Sequence, residues 1–137
     1  MPFTPLLYLG DMVPVIFSSA IFFCTLYLLS AAISPACKYY RNLPYSRLKS
    51  SWNFKICSSV HAISIVILAI PALNLHFDDV IFGYDKYSAI IYSISIGYFI
   101  FDILYSLITF DGGHAMIAHG VISLLTYLFS LVSTSKD

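Results

Sequence analysis

The stretch MVPVIFSSAIFFCTLYLLSAAI, residues 12–33, runs for 22 residues without a single charge. The hydrocarbon core of a bilayer is about 30 Å thick, and roughly 20 helical residues cross it. In lipid the backbone has to satisfy its own hydrogen bonds, so a run of this kind reads as a transmembrane helix whatever its β-branched content. Pro14 falls at the predicted start of the run, where a missing N–H costs nothing. The residues before it carry no Lys or Arg, and the run exceeds the apolar region of a signal peptide. A retained span is therefore expected rather than a cleaved leader.

Three further runs of similar character follow. They cover about 56–73, with His61 near the beginning and Pro71 near the end; 87–110, interrupted only by Asp102; and 115–132, with His119 near the start. The predicted fold is an all-α membrane protein of about four transmembrane helices, with residues 1–137 forming a single polytopic membrane domain. Composition agrees. Of 137 residues, 59% are hydrophobic and 10% are charged, against about 25% charged in a soluble domain, and mean hydropathy is +0.84. The zero net charge offers no global field for nucleic acid, so no nucleic-acid partner is expected. Cys24, Cys37 and Cys57 are odd in number and lack Cys-x-x-Cys spacing, which argues against a disulfide framework and a zinc site.

The loops set an expected orientation. Residues 34–55 hold Lys38, Arg41, Arg47, Lys49 and Lys55, whereas the second loop holds Asp78, Asp79 and Asp85 against Lys86. Short loops rich in Lys and Arg stay in the cytosol. Loop 34–55 is thus predicted to be cytosolic and both termini lumenal. Trp52, Tyr39, Tyr40 and Tyr45 belong to the same basic loop, at the depth where aromatic rings settle.

The ionisable groups inside the spans are the candidate site. An Asp at mid-helix costs about 2.5–3.5 kcal/mol on insertion scales and is expected to face the bundle interior. Tyr98, Tyr105 and Ser106 share the helical face of Asp102, and Ser95 continues the stripe. With the second span starting near Ile56 and the fourth near Ala115, His61, Asp102 and His119 fall at one depth in the cytosolic half of the membrane. They predict a cytosol-facing pocket between the second, third and fourth spans, with His61, Tyr98, Asp102, Tyr105 and His119 as lipid- or ligand-binding residues. A carboxylate that orients a histidine also supports general-base chemistry, so His119, Asp102 and His61 are the catalytic candidates. Two histidines and a carboxylate are donors a metal would accept, but no metal or cofactor is assigned. The plainer alternative is that these groups hydrogen-bond one another and hold the bundle together. Ser93 and Gly97 form a small-xxx-small pair suited to close helix approach. Asp111-Gly112-Gly113 reads as the turn between the last two spans. No phosphate loop, Gly-x-Ser-x-Gly or His-Glu-x-x-His motif occurs.

Ile33-Ser34-Pro35, then Trp52-Asn53 and Ser58-Ser59-Val60-His61-Ala62, resemble the first half of a TLC domain. Ile96-Gly97-Tyr98-Phe99-Ile100-Phe101-Asp102 resembles a later piece of that domain, followed by a Gly-containing turn and a helix bearing His119. The likeness runs from about Ile33 to Tyr127 and is closer to small TLC-domain proteins than to ceramide synthases. Family members carry a His-His pair where this sequence has His119-Gly120, and their domain continues with further helices. The resemblance therefore implies either a fragment or shortened product of a longer domain, or four helices that work with a second copy or a partner supplying the missing ones. It implies a role in membrane lipid homeostasis, in the endoplasmic reticulum or another endomembrane. Membrane lipids would be the partners, acyl-CoA or sphingolipid-related molecules among them. Two alternatives follow from the same likeness. One is an acyl-CoA-dependent N-acyltransferase of the ceramide synthase type, His119 taking the amine proton and Asp102 orienting it. The other is a non-catalytic structural or assembly subunit.

Overall fold

The structure, a computed structural model, describes residues 5–72 and 86–133, with side chains for 10–72 and 86–132. Asp78, Asp79 and Asp85, the acidic side of the orientation argument, lie outside the described residues. Four helices are long and apolar enough to cross a membrane: α1 (Pro5–Ile33), α3 (Ser46–Ala72), α4 (Lys86–Thr109) and α5 (Gly113–Ser133). A 3-10 turn at Ser34–Ala36 and the short α2 (Lys38–Arg41) join α1 to α3.

The expected boundaries hold for α4 and α5 to within two residues and differ for the first two helices. α3 begins at Ser46, ten residues before the predicted Ile56, because the polar segment 46–55 simply continues the helix. The basic loop is thereby reduced to a 3-10 turn, one helical turn and the link to Ser46. Helix α1 begins at Pro5, so Pro14 lies inside it rather than at its start. There it removes one backbone donor and crowds the carbonyl of Gly10, a defect that transmembrane helices tolerate.

α4 is the centre of the bundle. It packs most against α1 and α5 and less against α3, while α3 and α5 scarcely meet. Of its spanning window 61% is buried, against 22%, 17% and 11% for the others. Sequence explains the placement, since Ser93, Ser95, Tyr98, Asp102, Tyr105 and Ser106 put polar atoms on several faces of α4 and all are buried. Lipid cannot solvate such atoms, so other helices have to surround them. Many large apolar side chains point outward instead, among them Phe17, Leu28, Ile67, Ile108, Ile122 and Phe129. Water exerts no hydrophobic force between helices in a bilayer, and the interior is built from small residues, rings and hydrogen bonds.

Gly97 fixes the α1–α4 contact. A Cβ there would lie 2.5 Å from both the Ile16 carbonyl oxygen and the Ser19 Cβ. This proximity lets the Ser19 hydroxyl donate to the Ile94 carbonyl at 2.7 Å. The expected small-xxx-small pair is thus a contact face for α1, although Ser93 contributes from within its own helix, donating to Ala89 at 2.7 Å.

α3 runs antiparallel to α4, and hydrogen bonds record the register. Ser50 meets Tyr105 at 3.1 Å, Ser58 meets Tyr98 at 2.8 Å, His61 meets Ser95 at 3.3 Å, and Tyr87 donates to the Leu68 carbonyl at 2.7 Å. Each advance along α3 is matched by an equal retreat along α4.

Candidate functional site

Asp102 is the residue whose surroundings least resemble a finished interior. It is 2% exposed. Its Oδ1 is the one buried side-chain polar atom among the described residues that has no hydrogen-bond partner. Buried polar atoms are nearly always paired, so an orphan of this kind asks for an explanation. Its other oxygen faces α5, where a Cβ on Gly120 would stand 3.0 Å from Oδ2. Gly120, where the resembled family carries its second histidine, therefore brings the α5 backbone against the carboxylate. The ring of His119 is exposed and meets Phe99 edge-on at 6.1 Å.

His61 is buried and also meets Phe99 edge-on, 5.8 Å away by ring centroids. It stacks on Tyr98 at 4.0 Å with the planes 7° apart. In the described structure no hydrogen bond or ion pair joins Asp102 to either histidine. Among the described residues no three His, Cys, Asp or Glu side chains gather closely enough to hold a metal ion.

The expected common depth holds for two of the three residues. Asp102 stands seven residues before the end of α4 and His119 six after the start of α5, about 10 Å and 9 Å along the axes. His61 stands fifteen residues into α3, about 22 Å, because that helix starts early. Its partner Ser95 is likewise two turns beyond Asp102. The structure thus brings Asp102 to α5 beside His119, and places His61 deeper, with Tyr98 and Phe99 between.

Tyr105 belongs to a chain of polar contacts at the basic end of the bundle. Its hydroxyl meets Ser50, which in turn meets Tyr27 at 2.8 Å, and it donates to Asp111 Oδ2 at 3.5 Å. Arg47 Nε lies 3.6 Å from the other Asp111 oxygen. The turn carrying Asp111 is tight, with φ of 52° at Phe110, 78° at Gly112 and 64° at Gly113. The two glycines accept this left-handed backbone readily, whereas Phe110 does so at a steric cost.

Between that turn, α3 and α4 lies a cavity of about 380 Å³. Ser51, Lys55, Tyr105, Ser106 and Asp111 supply its polar lining, and Phe54 and Met116 its apolar walls. Ser106 and Met116 stand one turn above Asp102 and Gly120, so the orphaned carboxylate lies one turn beyond the lining.

The sequence reading places Lys55 in a basic loop that sets the orientation or touches anionic lipid headgroups, and Asp111 in a turn, and does not bring the two to one cavity. A second missed group is the polar joint around Asn53. Its Oδ1 accepts from Ser30 at 2.8 Å and Ser34 at 3.0 Å, and Trp52 Nε1 donates to Ser34 at 3.2 Å. The spacings Ser30/Ser34 and Asn53/Cys57/His61, each one turn apart, were the available signal.

Neither a curated protein nor a solved structure matches the chain. The family model of the TLC domain matches residues 51–135, which take in most of α3 and all of α4 and α5, with the cavity and Asp102. This chain, an integral membrane protein with a bundle of four apolar helices, belongs to the TLC domain family.

Proposed function

We propose that the protein acts in membrane lipid homeostasis by binding a lipid on the face formed by α3, α4 and α5, with Asp102, Tyr105 and His119 on the ligand side and His61 and Tyr98 bracing them. The observation that carries this reading is the buried Asp102 oxygen without a partner. An unsatisfied carboxylate deep in a membrane bundle is costly to keep and marks a site by default. Membership of a family linked to lipid biology supports the same reading. The basic end, with Lys38, Arg41, Arg47, Lys49 and Lys55, faces the cytosol in this proposal, the membrane is that of the endoplasmic reticulum, and residues 1–137 act as one membrane domain.

Whole-membrane lipid mass spectrometry tests the proposal in cells lacking the protein, rescued with wild type, Asp102→Asn or His119→Ala at matched expression. Wild type is expected to restore a lipid change that the variants do not. Full rescue by both variants would remove Asp102 and His119 from the function. Glycan acceptor sites beside Lys49 test the orientation, and their modification would reverse it.

A further inference from the structure

The cavity at the basic end holds two opposite charges that do not pair with each other. Lys55 and Asp111 both line it, yet no ion pair joins them. Asp111 is held by Arg47, itself 66% exposed on the outside, and by the Tyr105 hydroxyl from within. Lys55 is exposed, and Asp111 pairs with Arg47 rather than with it. Lys55 lies nine residues into α3, in the polar first turns of that helix, at the basic end of the bundle. A ligand with its own separated charges, arranged in the opposite sense, would complement both walls. The hydroxyls of Ser51 and Ser106 also line the cavity and suit a phosphate.

The aromatic residues discriminate between kinds of cation. A quaternary ammonium is held by free aromatic faces. Here the rings of Phe54 and Tyr105 stack on each other at 4.2 Å with planes 9° apart, so one face of each is already covered. The remaining acceptor for a cation is the Asp111 carboxylate, which favours an ammonium carrying N–H donors.

We infer that this cavity binds a zwitterionic phosphate ester with a primary ammonium group, its phosphate on Lys55 and Ser51 and its ammonium on Asp111. The inference rests on the lipid-binding reading above and gives that reading a headgroup class. Its lipid source would be a phosphatidylethanolamine-type molecule seated at the membrane surface, and its soluble source free phosphoethanolamine.

The test uses the full chain in nanodiscs and native mass spectrometry. Phosphatidylethanolamine, phosphatidylcholine and phosphatidylglycerol with identical acyl chains are offered in competition, with soluble phosphoethanolamine as a separate arm. Phosphatidylethanolamine is expected to be retained roughly tenfold over the other two, the worth of one charge-assisted hydrogen bond. Lys55→Gln should lower that retention and Lys55→Arg should keep it. Asp111→Asn should erase the discrimination, whereas Arg41→Ala, at a residue outside the cavity that bonds the Pro35 carbonyl, should leave it in place. Binding of soluble phosphoethanolamine without retention of its lipid would keep the zwitterion and assign it to the soluble ester, while removing the lipid reading. Equal retention of the three lipids, or Lys55→Gln without effect, overturns the headgroup assignment and leaves lipid binding standing. Retention of no lipid and no soluble ester overturns both.

Discussion

On its α1 side, α4 presents Gly97, and the neighbouring backbone comes so near that no side chain fits between them. The Ser19 hydroxyl uses that proximity to reach the Ile94 carbonyl. On its α5 side, α4 presents Asp102, and Gly120 permits a second close approach, yet one carboxylate oxygen stays without a partner. Both contacts depend on a glycine, so tight packing alone does not distinguish assembly from function. What differs is whether the polar atoms at the contact are satisfied. The α1 side is closed in this sense, and the α5 side keeps an unmet demand.

The largest effect should come from breaking the closed side. Gly97→Ala would press a methyl group onto backbone and is expected to cost about 1–3 kcal/mol, with Gly97→Leu preventing α1 from docking at all. Thermal unfolding in detergent would measure it, and a fully stable Gly97→Leu protein would refute the close contact.

Asn53→Ala should come next, because it leaves the Ser30 and Ser34 hydroxyls without their shared acceptor, at about 1–3 kcal/mol. The same unfolding assay applies, and an unchanged unfolding temperature would refute the shared acceptor.

Gly120→Ala sharpens the contrast. Its Cβ would meet Ile103 Cγ1 and Asp102 Oδ2 at 2.9 and 3.0 Å, side-chain atoms rather than backbone. Side chains give way more readily than a backbone carbonyl, so the loss should fall below that of Gly97→Ala. An equal loss would mean the two sides are alike.

The smallest change in stability is expected for Asp102→Asn, under about 1 kcal/mol, since Oδ1 has no bond to lose. Its lipid phenotype should nevertheless be lost. A large fall in unfolding temperature would instead identify Asp102 as structural.

The four spans were legible because lipid imposes one rule, a long apolar run, and the sequence follows it four times. The start of α3 was not legible for the same reason. Ser46 to Lys55 is polar and basic, which hydropathy reads as a loop, but nothing in it stops a helix once α3 has begun. That single misplaced boundary put His61 at the depth of Asp102. The side of α4 that Asp102 faces was legible from its neighbours, whereas the burial of one oxygen without a partner depends on how near α5 comes. Pairwise facts of that kind arise only in three dimensions. The cavity between Lys55 and Asp111 is another, since the two are brought together by the turn after α4 and by the antiparallel register of α3.

The central position of α4 has a consequence for biogenesis. A helix with polar groups on several faces is the one least able to wait alone in lipid after leaving the translocation channel. Chain order favours it, because α1 and α3 are synthesised first and can already offer Ser19, Ser50, Ser58 and His61 as partners when α4 arrives. Asp102 is different, for the helix that covers it, α5, follows only after the tight turn at residues 110–112. During that interval α4 is anchored on two sides and open on the third, until α5 folds back over the carboxylate as the second arm of a hairpin.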